Sequence, residues 1–348
     1  MKKKVVVLGA GVVGLTTALK IQQTGNYDVQ IIAELFPSDP KNIRYCSQWA
    51  GARFTSTEKI GTEQAEIDWT TFQEMWKMSE LGGIAEECFL RMTQRHYFTE
   101  KLPNYSPLQR MPGFREIPRA ELPTGVKATY GVEFQTFTIE PALYLSWLAK
   151  KFQQAGGVMV RKHVQHIDEV TKLGPNAVIV CLGLGTRFLG GVEDKSVFPS
   201  RGQNVILRAP WIRDGSSFID PHSNPRLGTD VVPRKSGEVL IGGTQEYGDW
   251  EPKPRPETTR EMLRRSLALC PQLVPPDKRS RNPPDVKDIL PIVVEEACGH
   301  RPMREGGPRI ELDSRKATPV IYNYGHGGDG YIKSIGSANI VLKLLASV

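Results

Sequence analysis

The chain has 348 residues, and 45 Lys plus Arg against 38 Asp plus Glu leave a formal net charge of +7. This length favours two domains in one chain, and a hydrophobic share of 39% with 8% aromatic residues excludes wholesale disorder. No run of about eighteen apolar residues is available for a membrane span. The basic residues are scattered without a nucleic-acid-binding motif, so we expect a solvated basic surface and no nucleic-acid partner.

The cysteines and histidines argue against disulfides and against a protein-bound metal. Five cysteines are an odd number, widely spaced and without a C-x-x-C pair, which is typical of a protein from a reducing compartment. The six histidines do not cluster with Cys or carboxylate residues at ligand spacing. We therefore expect an intracellular protein without a metal site.

The first predicted elements form a phosphate-binding unit. A β-branched strand over residues 5–8 runs into G-x-G-x-x-G at 9–14, followed by a helix over 15–23 and a strand over 29–33 that ends at Glu34. The glycines permit a tight turn, close approach of backbone amides to a pyrophosphate and packing of helix on strand. Glu34 would bind a ribose hydroxyl and repel a 2′-phosphate. The residues predict dinucleotide binding, with NADP disfavoured and both FAD and NAD open.

The middle of the chain departs from a simple NAD dehydrogenase, which would continue with alternating strands and helices. A small-residue loop covers 44–52, a helix rich in Trp, Phe and Met covers 63–81, and a turn-rich β region follows. A helix over 141–154 precedes a buried strand over 177–182. A sheet domain inserted between the halves of a dinucleotide fold predicts an α/β chain of mixed α+β character, of the glutathione-reductase type.

Five segments, in order along the chain, resemble the D-amino-acid oxidase family. The most specific runs from 320 to 330 and continues to 336–338, and it differs from the family pattern at Tyr322, where members usually carry His. The resemblance implies a Rossmann-type FAD-binding domain interleaved with a mixed-sheet substrate-binding domain, and non-covalent FAD. The supporting segments are 181–191, 201–203, 237–250 and 299–302.

The same resemblance implies the domain boundaries. The FAD-binding domain is expected to be discontinuous, over residues 1–55, 140–200 and 290–348. Residues 56–139 and 201–289 are expected to form the substrate-binding and oligomerisation domain. Both ends of the chain would therefore contribute to one flavin site.

The residues expected to bind FAD come from several parts of the chain. The N-terminal loop would hold the pyrophosphate, Glu34 the adenosine ribose, and the loop around Ser47 the flavin side. Glycine-rich backbone from Gly325 and a helix predicted over 336–345 would present amides to the flavin as it gains charge. The expected set is Gly9, Ala10, Gly11, Val12, Val13, Gly14, Glu34, Cys46, Ser47, Ala50, Gly51, Ala52, Val164, Cys181, Gly183, Gly185, Arg201, Gln203, Arg301, Gly327, Gly328, Asp329, Gly330, Tyr331 and Ile332.

Arg301 lies in the family's G-x-R-P motif, and the resemblance implies that it holds the substrate α-carboxylate bidentately. The implied reaction is hydride transfer from the α-carbon of a D-amino acid to flavin N5. The imine then hydrolyses to a 2-oxo acid and ammonia, and oxygen is reduced to hydrogen peroxide. Because the flavin carries the difficult step, no catalytic acid–base side chain is expected.

The substrate side departs from the family pattern. Asp230 stands where members usually carry a tyrosine that contacts the carboxylate, and Arg53 stands where Asn or Gln is usual. Three interpretations of Asp230 are open. In the first, Asp230 points away from the substrate, and Tyr247 or Tyr322 supplies the hydroxyl of the missing tyrosine. In the second, Asp230 holds the ammonium or a basic side chain of an unusual amine substrate. In the third, it pairs with Arg53 or Arg301. The expected substrate-binding set is Arg53, Asp230, Gln245, Tyr247, Arg301 and Asp329.

These departures leave the substrate open between neutral D-amino acids, acidic D-amino acids that two arginines would hold, and an atypical amine. A flavin dehydrogenase, an oxidase of N-substituted glycines and an FAD-binding protein without turnover are the remaining alternatives. In yeast-like members a long loop near residues 250–291 supports dimerisation, so a homodimer is possible. Many relatives are peroxisomal through a Ser-Lys-Leu-type tripeptide, whereas this sequence ends Ala346-Ser347-Val348. Peroxisomal location therefore rests on the resemblance alone.

Overall fold

The computed structural model describes residues 2–101, 106–220, 228–279 and 283–348. These ranges contain two β-sheets and several α-helices. The strands are β1 (Lys3–Leu8), β2 (Tyr27–Ala33), β3 (Phe89–Phe98), β4 (Arg115–Glu116), β5 (Tyr130–Ile139), β6 (Val158–Arg161), β7 (Ala177–Val180), β8 (Val197–Arg208), β9 (Gly215–Ile219), β10 (Thr229–Pro233), β11 (Glu238–Ile241), β12 (Glu246–Tyr247), β13 (Val293–Arg304), β14 (Arg309–Asp313) and β15 (Val320–Tyr324). The helices are α1 (Val12–Gln23), α2 (Glu63–Met78), α3 (Pro141–Gln154), α4 (Asp168–Thr171), α5 (Pro256–Leu269) and α6 (Gly330–Ala346).

The first sheet has the strand order β14-β15-β7-β1-β2-β6, and all its pairings are parallel except that of β14 with β15. Its central strand β1 pairs with β2 and β7, and the apolar run Val5–Leu8 is fully buried. Such uninterrupted apolar strands are typical of a parallel sheet covered on both faces. Helix α1 packs against α3 and α6. The carboxyl ends of β1, β2 and β7 lie at one edge of this sheet, where α/β proteins bind ligands.

The second sheet has the order β12-β8-β11-β10-β9-β3-β5-β4, and β13 pairs additionally with β8. Strand β13 runs antiparallel to β8 along twelve residues, and this pairing places Arg301 opposite Ser200. Helix α5 packs against β8 and β10. The mixed α/β fold with a parallel dinucleotide sheet and a second, mostly antiparallel sheet confirms the predicted fold class.

Some boundaries differ from those predicted. Strand β13 was expected in the FAD-binding part, but its long ladder with β8 makes it part of the second sheet. Helix α2 was expected in the substrate-binding part, but it packs against α6, and Phe72 shares a core with Val7 of the first sheet. Helix α6 begins at Gly330 and not at 336, since Gly330 adopts helical dihedral angles. The domain division remains a prediction.

Two further sequence expectations concern parts of the surface. Helix α5 begins at Pro256, within the segment 250–291 that was predicted to support dimerisation. Residues 280–282 of that segment fall outside the described residues. Within the described ranges, no helix combines the length and the apolar character needed to cross a bilayer. The homodimer remains a prediction.

Candidate active site

A cavity of about 1200 Å³ is lined by residues of both sheets. One part is formed by the carboxyl ends of β1, β2 and β7, and another by β10, β13 and the segment after β11. The volume exceeds the roughly 300–1,000 Å³ typical of sites for drug-sized ligands. The cavity is therefore large enough for a dinucleotide and a small substrate together.

The glycine-rich turn after β1 has no room for side chains. Gly9 has φ of +102°, and a Cβ added there would lie 2.6 Å from the carbonyl oxygen of Cys181. A Cβ added to Gly14 would lie 2.1 Å from the carbonyl oxygen of Gly9. The Val12 amide at the start of α1 donates a 3.0 Å hydrogen bond to Ser47 Oγ. The turn thus brings backbone and a helix N-terminus to the cavity, an arrangement suited to a pyrophosphate.

Glu34, at the end of β2, lines the cavity between two basic side chains. Arg44 donates a hydrogen bond to it, and His163 Nδ1 lies 2.9 Å from the second carboxylate oxygen. The Arg44 hydrogen bond holds the pKa of Glu34 below its ordinary value, so the carboxylate is ionised at neutral pH. Nothing in the sequence marked Arg44 or His163 as its partners, because only the folded sheet brings them together.

The glycine-rich segment between β15 and α6 forms a short 3-10 turn over Gly327–Asp329 and then enters the helix. His326 is buried, its Nε2 lies 2.9 Å from Asn323 Oδ1, and its Nδ1 has no hydrogen-bond partner among the described residues. Burial lowers the pKa of His326 to about 3, so the ring is neutral. Since His326 lines the cavity, a bound molecule could supply the missing partner.

A buried ionic network lies beside this turn. Lys333, which is 2% exposed, donates to Asp68 Oδ1 at 2.9 Å and to Glu58 Oε1 at 2.8 Å. Burial raises the pKa of the nearby Asp329 to about 6, although Lys333 opposes that rise. Sequence analysis missed Lys333 and Glu58, both of which line the cavity. The signal that could have identified Lys333 was a lysine within an apolar stretch of the sequence, which here becomes the buried part of α6.

Arg301 on β13 presents an unpaired cation to the cavity. Its Nη1 donates a 2.7 Å hydrogen bond to the carbonyl oxygen of Thr244, and among the described residues it forms no ion pair with a carboxylate. The guanidinium lies against Gly202, where an added Cβ would come within 2.4 Å of Nη1. The glycine therefore makes room for a guanidinium whose charge is available to an anionic ligand.

Asp230 on β10 pairs with Arg53, as the third interpretation of Asp230 expected. Arg53 Nη1 lies 2.8 Å from Asp230 Oδ1, and Ser217 Oγ donates to the same oxygen at 2.5 Å. Burial would raise the pKa of Asp230, but Arg53, the Ser217 hydrogen bond and His96 together outweigh burial and hold that pKa below its ordinary value. Both side chains line the cavity, so the pair is part of its wall.

The two tyrosines considered as replacements for a missing hydroxyl do not line the cavity. Tyr247 on β12 is 61% exposed and accepts a 2.8 Å hydrogen bond from Gln245 Nε2. Tyr322 is buried beneath the guanidinium of Arg309, 3.8 Å from its ring centroid. The Tyr247 side chain is therefore turned to the surface, and the substrate contact predicted for it stays a prediction.

Arg201 and Gln203 also do not line the cavity, and the contact with FAD predicted for them stays a prediction. Arg201 is fully buried and donates to Glu246 at 2.5 Å and to Gln203 Oε1 at 3.0 Å. Gln203 Nε2 donates to Thr259 Oγ1 at 3.0 Å. These two side chains therefore bind other parts of the protein, β12 through Glu246 and α5 through Thr259. Gly14 likewise does not line the cavity, and its crowded position makes it a packing residue.

The remaining predicted residues all line the same cavity, and their individual roles remain predictions. Burial raises the pKa of Cys46 to about 11 and that of Cys181 to about 12, so both are neutral thiols near pH 7. Those brought to the cavity are Gly9, Ala10, Gly11, Val12, Val13, Glu34, Cys46, Ser47, Ala50, Gly51, Ala52, Arg53, Val164, Cys181, Gly183, Gly185, Asp230, Gln245, Arg301, Gly327, Gly328, Asp329, Gly330, Tyr331 and Ile332.

The sequence over residues 4–344 matches the protein family described as FAD dependent oxidoreductase. The chain belongs to this family. The predicted cofactor FAD and the predicted oxidoreductase class are thereby confirmed.

Curated relatives cover nearly the whole chain. A D-aspartate oxidase of Cryptococcus neoformans var. grubii is 35% identical over 98% of this chain and 96% of its own length. A D-amino-acid oxidase of Schizosaccharomyces pombe is 31% identical over 97% of this chain and 94% of its own. The family resemblance inferred from the motifs is therefore confirmed.

Solved structures share the fold at low sequence identity. A glycine oxidase from Geobacillus kaustophilus superposes with a TM-score of 0.75 at 16% identity, over 99% of this chain and 95% of the other. An L-alpha-glycerophosphate oxidase from Mycoplasma pneumoniae with FAD bound reaches the same TM-score at 14% identity and the same coverage. These likenesses establish the architecture and leave the substrate to be argued from the site.

Proposed function

We propose that this protein is an FAD-dependent oxidase that converts D-amino acids to 2-oxo acids and ammonia and reduces oxygen to hydrogen peroxide. The observation that carries the proposal is Arg301, an arginine without a carboxylate partner among the described residues, in the cavity that also contains the glycine-rich turn. The names of the relatives, D-aspartate oxidase and D-amino-acid oxidase, support the same reaction.

The residues present fit FAD. The turn that begins at Gly9 leaves no room for a Cβ and would present amides to the pyrophosphate, while Glu34 would accept hydrogen bonds from the ribose. The buried Nδ1 of His326, which lacks a partner among the described residues, and the amides at the start of α6 would complete the flavin end. When bound, FAD supplies the acceptor of the hydride.

The protein's own contribution is orientation and exclusion of water. Arg301 would hold the α-carboxylate through two parallel N–H···O bonds, which fixes the direction of the α-C–H bond. The amine must lose its extra proton before the C–H bond breaks. Because the substrate can enter as the neutral amine, the reaction needs no acid–base side chain, and activity should increase toward basic pH.

The decisive experiment compares Arg301→Ala with Arg264→Ala under anaerobic conditions. Each purified holoenzyme is mixed with a panel of D-amino acids, and bleaching of the flavin band is followed. Loss of two charge-assisted hydrogen bonds should lower kcat/KM of Arg301→Ala by about 100-fold or more, with flavin still bound. Arg264 is an exposed residue on α5 that pairs with Glu261, so its removal should change little.

Unchanged activity of Arg301→Ala would refute the assignment of this arginine. If no D-amino acid bleaches the wild-type flavin, the proposed function itself is wrong. Under air, peroxide formation distinguishes an oxidase from a dehydrogenase, which would reduce a dye without forming peroxide. The same panel includes sarcosine and glycine, to test an oxidase of N-substituted glycines.

A second candidate is an oxidase of acidic D-amino acids. The observation in its favour is that Arg53 lines the same cavity as Arg301, together with the name of the Cryptococcus relative. Two free arginines could hold the two carboxylates of D-aspartate. Whether Arg53 is free to do so depends on its partner, Asp230.

A further inference from the structure

We propose that the ion pair between Arg53 and Asp230 selects uncharged side chains, because it cancels the charge that Arg53 would otherwise offer to a second carboxylate. This inference rests on the proposed oxidation of D-amino acids and assigns the side-chain specificity of that site. It predicts a preference for neutral over acidic D-amino acids.

The pair is held in place by several hydrogen bonds. Arg53 Nη1 donates to Asp230 Oδ1 at 2.8 Å and to Ser217 Oγ at 2.7 Å, and Ser217 Oγ in turn donates to Asp230 Oδ1. Arg53 Nε donates to Thr55 Oγ1 at 3.1 Å. The side chains of Arg53 and Asp230 are only 17% and 29% exposed. Such a closed arrangement keeps Arg53 on Asp230 when the substrate enters.

The pair and Arg301 are positioned by one short segment after β11. Thr244 accepts the hydrogen bond from Arg301, and the Gly242 amide donates to the carbonyl oxygen of Asp230 at 2.9 Å. The carbonyl oxygen of Gly243 accepts from the amide of Gly228 at 2.7 Å. Asp230 and Arg301 are therefore both anchored to residues 242–244, and both line the same cavity. A substrate whose α-carboxylate lies on Arg301 would bring its side chain toward the pair.

The charges of this region favour an uncharged side chain. Arg301 has no carboxylate partner among the described residues and matches the single α-carboxylate, whereas Arg53 is neutralised by Asp230. The neighbouring His96 is neutral, since burial and then Arg53 lower its pKa to about 3. Asp329 adds a further negative charge above about pH 6. A second carboxylate would meet Asp230, and an ammonium group would meet Arg53.

The test uses Asp230→Asn, which keeps the shape of the side chain and frees the charge of Arg53. D-aspartate and D-asparagine have the same shape and differ in charge, so the ratio of their kcat/KM values isolates the effect of charge. We expect the wild type to favour D-asparagine, and Asp230→Asn to shift the ratio toward D-aspartate by about tenfold or more, mainly through KM. Asp214→Asn, on the exposed end of the Arg95 ion pair, is the control and should leave the ratio unchanged.

A binding measurement makes the test independent of turnover. Malonate and its half-amide, malonamate, are titrated against the flavin spectrum of each holoenzyme. Wild type should bind malonamate at least as well as malonate, and Asp230→Asn should reverse that order. The double variant Arg53→Gln plus Asp230→Asn should remove the gained preference for the dianion.

The results of these experiments distinguish a failure of this inference from a failure of the proposed function. A wild type that prefers D-aspartate, or an Asp230→Asn holoenzyme with unchanged ratios, overturns the inference and leaves D-amino-acid oxidation intact. If no D-amino acid reduces the flavin of the wild type, the proposed function is wrong, and the malonate titration alone then tests the charge selectivity. If Asp230→Asn does not fold, Arg53→Gln replaces it, and this variant should gain affinity for D-lysine relative to D-norleucine. No gain there overturns the inference.

Discussion

The end of the cavity that we propose for the nucleotide, called here the nucleotide end, lies around the glycine-rich turn and Glu34 and is built mainly from contiguous backbone. Gly9, Val12 and Gly14 act within a few residues of one another, at the junction of β1 and α1. The end that we propose for the substrate, called here the substrate end, is built from side chains that come from distant parts of the chain, since Arg53 and Asp230 are 177 residues apart. A contiguous turn can be recognised from its sequence pattern, whereas a long-range pair has no pattern of its own.

The largest expected effect tests the backbone of the nucleotide end. In Gly14→Ala the added Cβ would lie 2.1 Å from the carbonyl oxygen of Gly9, and neither α1 nor β1 can move freely. We expect loss of the folded, FAD-loaded protein, measured as the flavin-to-protein absorbance ratio and the melting temperature. Gly25→Ala is the control, because nothing lies within 4 Å of its added Cβ, although Gly25 has a φ of +76° and Gly14 lies in the helix. It should cost only about 1 kcal/mol.

If Gly14→Ala retained FAD and melted like the wild type, crowding at the turn would not be what makes glycine necessary. If Gly25→Ala, whose added Cβ meets nothing, were equally damaging, crowding would not explain the loss in Gly14→Ala. Either result would weaken the contrast between a rigid nucleotide end and a side-chain-built substrate end.

This contrast explains what could be predicted from the sequence. The parallel strand, glycine turn, helix and Glu34 follow one another in the chain, so their arrangement was readable. The motif around Arg301 identified its position on the cavity, but the same reasoning placed Arg201 and Gln203 there as well. Their side chains turn to Glu246 and Thr259, which only the tertiary structure reveals. For the same reason the pairing of Asp230 remained one of three interpretations.

Asp329 lines the cavity beside the buried Lys333 network, and we expect it to make the stability of the protein depend on pH. Burial raises its pKa from the ordinary 3.8 to about 6, so the native protein retains this proton over a range in which the unfolded chain loses it. Stability should therefore fall as pH rises from about 4 to 6. Asp329→Asn should remove this loss and be more stable than the wild type by about 3 kcal/mol at pH 7.5, with little difference below pH 4.

Urea unfolding at pH 3.5 and pH 7.5, with the same excess of FAD, measures the difference. Glu34→Gln is the matched control at the opposite end, because its pKa is lowered by the Arg44 hydrogen bond. That variant should lose stability at neutral pH, the opposite sign to Asp329→Asn. Equal stabilities of Asp329→Asn and wild type at pH 7.5 would mean that the Asp329 carboxylate is solvated in the native protein.

The smallest expected effect tests a glycine at the substrate end. A Cβ added to Gly202 would lie 2.4 Å from Arg301 Nη1, but a guanidinium on a flexible stem can move where the backbone of Gly9 cannot. Gly202→Ala should therefore keep its FAD and its fold while displacing Arg301, the group proposed to hold the α-carboxylate. We expect KM to rise by about tenfold with a smaller change in kcat, because substrate binding is lost before the chemistry changes. Loss of FAD from this variant would show that the two ends of the cavity are coupled through β8. An unchanged KM would show that Arg301 can still reach the substrate past the added methyl group.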